Sequence, residues 1–439
     1  MMDKISFYNI QESIDDNVLL YNTLSDSMVA FTQNEFGIVS SLFENLIEFS
    51  SQYPVLYEEL KKAGFIISDS FDELEYIKFQ NKRRIFANND FHITINPTLD
   101  CNLQCWYCST EYAKAKHNGC MTPELVDGVK NHIKHVIEEQ RATSLVLDWF
   151  GGEPLMFFNE VIEPISSYTN DLAEKNSIRF SQHITTNATL LNSNRIQRMR
   201  DLRFTSFQIP IDGNEYRHNK IKFFDNKRGT YRSVINNINE IAESILNVRI
   251  TMRINYDKQT LKHIQDIIQD ISETAKQYIQ VDFQKVWQIK ANDRDVQLLK
   301  EIKDIFRLNG LNSDFWAYTP KVFHRCYSDK YHHYAINYNG KIFKCTAQDY
   351  GDDKVIGELL SNGEILWNDT LLSKLFSHST FENERCLNCK RLPICMGPCI
   401  IRNFESRINN TPLPCIADYV QYSLSSYIIE EAKKREIIK

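Results

Sequence analysis

Apolar and polar positions alternate through residues 91–96 (FHITIN), and a continuous apolar run, residues 145–150 (LVLDWF), follows after enough chain for a helix. Four more β-rich runs come at residues 180–185, 204–211, 249–254 and 280–286, with helical stretches such as residues 231–246 and 261–276 between them. Strands that alternate with helical segments predict βαβ units, and therefore an α/β fold on a parallel sheet. The pattern changes ahead of that region. Residues 1–85 read as a short β start, a helical run near residues 32–49, a second near 57–63, and then an apolar β-run that opens on Gly64 (GFIISDSFDELEYIKFQNKRR). A helical pair followed by a glycine and a β-run predicts a small winged-helix-like unit.

Length and charge narrow the function classes. With 439 residues the chain exceeds one ordinary domain and buries more than one core. A formal net charge of −6, with NKRR at residues 81–84 as the one basic tract, gives no case for a nucleic-acid partner. No apolar run approaches a membrane span. At 42% hydrophobic and 25% charged, without repeats or low-complexity stretches, this is the composition of a soluble globular protein. The opening MMDKISFYN lacks an apolar signal core, which predicts a cytoplasmic location.

The cysteines change the picture. Cys101, Cys105 and Cys108 stand in the run CNLQCWYC, in a loop directly after the first barrel-type strand. Three thiolates can hold three irons of a cubane [4Fe-4S] cluster and leave the fourth iron open to a small molecule. Structural zinc prefers four ligands in closely spaced pairs, so C-x3-C-x2-C fits it poorly, and buried core thiols are the remaining reading. Behind the second strand come Gly151, Gly152, Glu153 and Pro154. Paired glycines allow a close backbone approach to a ligand, and an acid beside them can accept bonds from an ammonium group.

On the three-cysteine run, on Tyr107 just before its last cysteine, and on the GGEP segment, this chain resembles the radical S-adenosylmethionine (SAM) superfamily. The resemblance implies a partial (β/α)6 barrel. It also implies that the open iron chelates the amino and carboxylate groups of SAM, and that an electron from a donor such as flavodoxin or ferredoxin cleaves SAM to a 5′-deoxyadenosyl radical. Residues 185–191 (TTNATLL), 209–213 (IPIDG) and 253–255 (RIN) are similar to recurring segments of the family. Through them the resemblance points to Asn187, Asp212 and Arg253 as cofactor contacts beside Tyr107, Gly151, Gly152 and Glu153. For Asn187 and Asp212, turn chemistry at strand ends is the competing explanation. Two positions depart from the family pattern: Pro210 stands where serine is common, and Lys222 where arginine is common.

Seven of the eleven cysteines lie after residue 320, as C-x13-G-x4-C, then C-x2-C-x5-C-x3-C, then Cys415. This arrangement resembles the SPASM extension, which implies two auxiliary [4Fe-4S] clusters. By the same resemblance Cys386, Cys389, Cys395 and Cys415 hold the outer cluster, and Cys326, Cys345 and Cys399 the inner one. The inner set is one thiolate short. Either a non-cysteine donor such as His324, His332 or His333 completes it, or an open iron remains that would take a substrate thiolate. A four-cysteine zinc site is the alternative for the C-terminal group. Disulfides are disfavoured, because the chain shows no secretory signal and the implied chemistry needs reducing conditions. Cys120 belongs to no motif and reads as a buried or surface thiol.

Together these features predict a winged-helix-like unit over residues 1–85, which the resemblance to peptide-modifying relatives reads as a leader-recognition domain and which could otherwise be a cap on the barrel, a radical SAM barrel over 86–310 and a SPASM domain over 311–439. The implied activity is modification of a ribosomally synthesised precursor peptide bearing a leader, by formation of a thioether from cysteine sulfur to carbon. A carbon–carbon crosslink and formylglycine formation in a sulfatase are the alternatives. Sulfatase maturases begin close to their radical SAM cysteines, so the long N-terminal segment favours a leader-dependent peptide maturase. A non-catalytic electron carrier or zinc scaffold would leave GGEP and the barrel strands unexplained.

Overall fold

The run NVLLYN near the N-terminus is too continuously apolar to alternate between core and solvent, and the computed structural model shows it buried on both faces. The structure describes residues 2–87, 89–108, 119–224, 226–286, 288–289, 293–313, 322–323, 325–413, 415 and 424–438. The chain divides into two units. One comprises Met1–Phe86, Tyr318–Lys330 and Ser373–Lys439, the other Ala87–Ala317 and Tyr331–Leu372.

In the first unit, β1 (Asp3–Ile5) pairs with β5 (Ile66–Ser68), and β2 (Asn9–Ile14), β3 (Asn17–Asn22) and β4 (Ser27–Thr32) form an antiparallel sheet in the order β2-β3-β4. Helices Gln33–Leu42, Leu46–Gln52 and Pro54–Lys62 follow. The first is closed by a capping box, in which Glu35 N donates to Thr32 Oγ1 and Thr32 N to Glu35 Oε2. Alternation along β3 sends Val18 and Leu20 into a core with Phe36, Val39, Phe49 and Leu60. Leu19 and Tyr21 enter a second core with Ile394, Tyr427, Ile428 and Ala432 of the C-terminal helices. The expected helical pair is present, but the β2-β3-β4 sheet was not legible. Burial on both faces removes the period-two signal. The expected β-run after Gly64 is short, because Asp72 accepts from Glu75 N and starts helix Glu73–Ile85.

The second unit carries the expected parallel sheet. Strands β6 (Asp90–Ile95), β7 (Ser144–Trp149), β8 (Arg179–Thr185), β9 (Phe204–Ile211), β10 (Arg249–Tyr256) and β11 (Ile279–Lys285) are neighbours in sequence order, every pair parallel. Beyond β6 the sheet continues through β12 (His333–Ile336), parallel to β6, and then antiparallel β13 (Lys341–Phe343), β14 (Gly357–Leu359) and β15 (Ile365–Trp367). The stretch 311–439, expected as one domain, thus contributes to both units. Helix Tyr231–Ser244 forms as expected. The second predicted helix, residues 261–276, is instead three short pieces. Asp257 caps Lys258–Leu261, Ser272 caps Glu273–Lys276, and a 3-10 turn, Ile264–Asp270, lies between with Ile264, Ile267 and Ile268 buried. Among the described residues, no helix is long and apolar enough to cross a membrane.

His132, on helix Pro123–Lys134, ties that helix to the β14–β15 turn and to β12, with Nδ1 2.9 Å from the Gly363 carbonyl and Nε2 2.5 Å from the Tyr334 hydroxyl. Burial pulls its pKa from 6.5 down to about 4. A depressed histidine contributes stability that is present above its unfolded pKa and lost as pH falls through the folded one, here between 6.5 and about 4. The expected loss across that window is roughly 3 kcal/mol. Denaturant midpoints measured from pH 7 to pH 4 should show it, and the slope should flatten in His132→Asn.

Candidate functional site at the C-terminal strand ends

Because β6 to β11 run parallel, the residues that follow each strand gather on one edge of the sheet. The cysteine loop leaves β6, the GGEP segment leaves β7, Asn187 follows β8, Asp212 follows β9, and Arg253 and Asn255 lie near the end of β10. The glycine pair faces the cysteine loop itself. Gly152 N donates to Thr98 O at 3.1 Å and Glu153 N to Asp100 O at 2.8 Å. A Cβ on Gly151, whose φ is +122°, would sit 2.2 Å from Thr98 O, and one on Gly152 would sit 2.1 Å from Asp100 O. The close approach expected toward a ligand is therefore made first toward the loop that carries the cysteines.

Glu153 also differs from expectation. It is fully buried, and its carboxylate accepts from Thr186 Oγ1 (2.7 Å), Asn187 N (2.7 Å) and Leu155 N (3.1 Å). Burial pushes its pKa up to about 7 against those donors. Its oxygens join the ends of β7 and β8. Asn187, so placed, donates from Nδ2 to Asn102 Oδ1 at 2.9 Å and lies 3.8 Å from Cys101 Sγ.

Asp212 is enclosed in the same way. Tyr107 donates its hydroxyl to Asp212 (2.8 Å to Oδ1), Lys222 Nζ lies 2.7 Å from Asp212 Oδ2, and Asn255 Nδ2 donates to Tyr107 Oη at 3.1 Å. Lys222 also donates to Tyr107 Oη and approaches Cys105 Sγ at 3.7 Å. Burial opposes its charge, but Asp212, Tyr107 and Cys105 together hold its pKa well above the ordinary lysine value. A relay braces this group from behind. Asp212 N donates to His218 Nδ1 (3.3 Å), His218 Nε2 lies 3.0 Å from Thr230 Oγ1, and Thr230 donates to the Lys222 carbonyl (3.0 Å). The relay needs a neutral His218 with the proton on Nε2, and burial lowers its pKa to about 3. Arg253 donates to Asn255 Oδ1 at 3.0 Å, which links it to Tyr107 through one side chain. Thr186, Asn102, Asn255 and the His218–Thr230 pair were missed in the sequence. Asn102, Thr186 and Asn255 lie within recognised segments, which was the available signal, while His218 and Thr230 lie in none.

Cys101, Cys105 and Cys108 stand on one loop as thiols, outside any disulfide. Burial, with Glu153 and then the other two thiols nearby, pushes the Cys101 pKa up to about 12. Such a set gives up its protons when cationic iron arrives, which suits an iron–sulfur cluster. In the other unit Cys395 is pushed to about 11 by burial and by the nearness of Cys386, Cys389 and Cys415, the four thiols expected to share the outer cluster. Cys326 and Cys399 also lie near one another. Arg325 Nε pairs with Asp329 Oδ2 at 2.9 Å and Arg325 Nη1 donates to Met396 O at 2.7 Å, while Asp329 Oδ1 accepts from Ile400 N at 2.7 Å. Those bonds join the Cys326 loop to the Cys399 loop. Cys345, expected with them, follows β13 in the barrel unit. His333 stacks edge-on to His92 inside the barrel unit and His332 packs on Phe91, while His324 lies outside the described residues. Among the described residues, no three His, Cys, Asp or Glu side chains close round a single metal ion.

The glycine contact yields a test. Gly152→Ala should displace the cysteine loop and remove about four irons per chain after anaerobic reconstitution. Gly37→Ala, on a helix with open space around its Cβ, should leave iron content unchanged. Colorimetric iron analysis of both proteins reads the difference.

Residues 95–271 match the model of the radical SAM superfamily. Over 413 residues the chain is 22% identical to the radical SAM cyclopropyl synthase TigE of Paramaledivibacter caminithermalis, covering 84% of this chain and 79% of that protein. Over 353 residues it is 21% identical to a cysteine-type anaerobic sulfatase-maturating enzyme of Clostridium novyi, covering 71% of this chain and 87% of that one. The solved structure of Streptococcus suis SuiB bound to precursor peptide SuiA is similar in fold, with a TM-score of 0.52 at 16% identity over 94% of this chain and 98% of that chain. Sequence match and strand-end geometry lead to the same conclusion: residues 95–271 of this chain are a radical SAM domain, the domain of an enzyme.

Proposed function

We propose that this chain is a maturase that holds a ribosomally synthesised precursor peptide by its leader and joins a cysteine sulfur of that peptide to a carbon as a thioether. The observation that carries the reading is the build of the first 86 residues, where β4 pairs, among the described residues, with β3 alone and is half-buried over Ser27 to Ala30. A half-buried edge strand offers unpaired main-chain groups to an extended peptide and side-chain contacts on its face. SuiB was solved with a precursor peptide, and its likeness covers 94% of this chain, so it takes in most of this element.

A reduced [4Fe-4S] cluster with SAM supplies, when bound, a 5′-deoxyadenosyl radical. This chain's Cys101, Cys105 and Cys108 would hold that cluster, and Asn187 and Tyr107 fix the loop that carries them. The substrate carbon gives up a hydrogen atom, which leaves in 5′-deoxyadenosine. The thiol gives up a proton, the S–C bond forms, and one electron returns to an acceptor. Cys386, Cys389, Cys395 and Cys415 would hold an auxiliary cluster suited to accept it. A flavodoxin or ferredoxin would supply the starting electron. A second reading, oxidation of a cysteine side chain to formylglycine, is favoured by the likeness to the Clostridium novyi enzyme.

Two measurements test the proposal. Under dithionite the chain should release 5′-deoxyadenosine, and Cys101→Ala, Cys105→Ala or Cys108→Ala should each abolish that release. Co-expression with a cysteine-containing precursor should remove two hydrogens and block thiol alkylation. A product that still alkylates has a carbon–carbon link, and one that has lost its sulfur supports the second reading. Separately, amide hydrogen exchange should slow along β4 when leader peptide is added. Protection confined to other segments would rule out strand addition there.

A further inference from the structure

Lys222 stands where the family resemblance places arginine, and its surroundings give the difference a meaning. Its side chain is 3% exposed and that of Asp212 is fully buried. An ammonium has three N–H bonds, and this one meets three acceptors on two segments: Asp212 Oδ2 at 2.7 Å after β9, and on the cysteine loop the Tyr107 hydroxyl and Cys105 Sγ at 3.7 Å. Its nitrogen also lies 4.8 Å from the centre of the Tyr107 ring. A compact ammonium can direct three bonds to converging partners, whereas a planar guanidinium suits a flat, bidentate acceptor such as a carboxylate. With all three bonds engaged by the protein, Lys222 has none left for a cofactor carboxylate. Its charge instead bears on a cluster-holding sulfur, with the Asp212 carboxylate behind it as the opposing charge.

We propose that Lys222 is a positioning residue that sets the reduction potential of the cluster held by Cys101, Cys105 and Cys108, through its N–H···S contact with Cys105, and that Asp212 limits the effect. The proposal rests on the reading of those three thiols as cluster ligands. Reduction adds one electron, and the extra negative charge spreads onto the ligand sulfurs. A cation at a ligand sulfur stabilises that reduced form and makes the electron easier to accept. A carboxylate nearby does the reverse. The two residues therefore act with opposite signs, which a purely structural pair would not do.

The test is a redox titration of the reconstituted full chain followed by electron paramagnetic resonance. The signal of this cluster is the one missing from the triple variant Cys101→Ala, Cys105→Ala, Cys108→Ala, and any remaining cluster signals serve as an internal reference. At a fixed potential, Lys222→Gln should lower the ratio of reduced to oxidised cluster about tenfold, a midpoint shift of about −59 mV for a one-electron couple. Asp212→Asn should raise the ratio, and Lys222→Arg, which keeps the charge, should stay within about threefold of the parent. Should Lys222→Gln fail to hold iron, the isosteric Asp212→Asn decides by the sign of its shift. Midpoints that stay put, or that move the same way in both neutral variants, overturn the proposal. So does loss of the cluster in both with retention in Lys222→Arg, which would make the pair structural. A triple cysteine variant that lost no signal would be a different result, for it would remove the cluster assignment itself.

Discussion

The ends of β6, β7 and β8 depend on one close contact, the approach of the Gly151–Gly152 backbone to the Thr98 and Asp100 carbonyls. No residue with a Cβ fits at either position, since the added atom would fall 2.2 and 2.1 Å from a carbonyl oxygen. This is a steric exclusion and not a preference of a few tenths of a kcal/mol. It presses the cysteine loop of β6 against the end of β7, and the next residue, Glu153, passes the constraint to β8 through Thr186 and Asn187. Asn187 then returns to the loop at Asn102 and Cys101. Three strand ends are thereby locked to one loop by backbone geometry and a single buried carboxylate.

The other side of the loop is held differently. Around Tyr107 the structure uses charge, with Lys222 and Asp212 both withdrawn from water and joined at 2.7 Å. Desolvating two ions is costly, and such a pair is seldom the cheapest way to stabilise a fold. What it does well is fix direction. The side chains of this group engage one another, and the relay through His218 and Thr230 extends the network to the Lys222 backbone. In a low-dielectric interior an unsatisfied member is expensive, so alternative arrangements are disfavoured strongly.

Much of the barrel was legible because a parallel strand followed by a helix writes its period plainly, and β9 spans residues 204–211, the bounds its pattern predicts. The cysteine run and GGEP were legible as chemistry. Their mutual contact was not, since a glycine pair says only that something comes close. Glu153 and Asp212 read as ligand contacts, and one-dimensional sequence cannot show the bonds they make to Thr186 and Lys222. Residues 261–276 kept a helical spacing of isoleucines that serves a 3-10 turn equally well. Strand β3 escaped because a run apolar at every position carries no period at all.

That same strand has a consequence for how the protein is made. Val18 and Leu20 find their core among helices that follow within a few dozen residues, so half of the N-terminal sheet can close early. Leu19 and Tyr21 must wait for Ile394, Tyr427 and Ile428, which emerge only after the whole barrel has been synthesised. Until then one face of the sheet is an open apolar surface of the kind that aggregates or recruits chaperones. The unit that holds most of the C-terminal cysteines is therefore among the last parts of the chain to close.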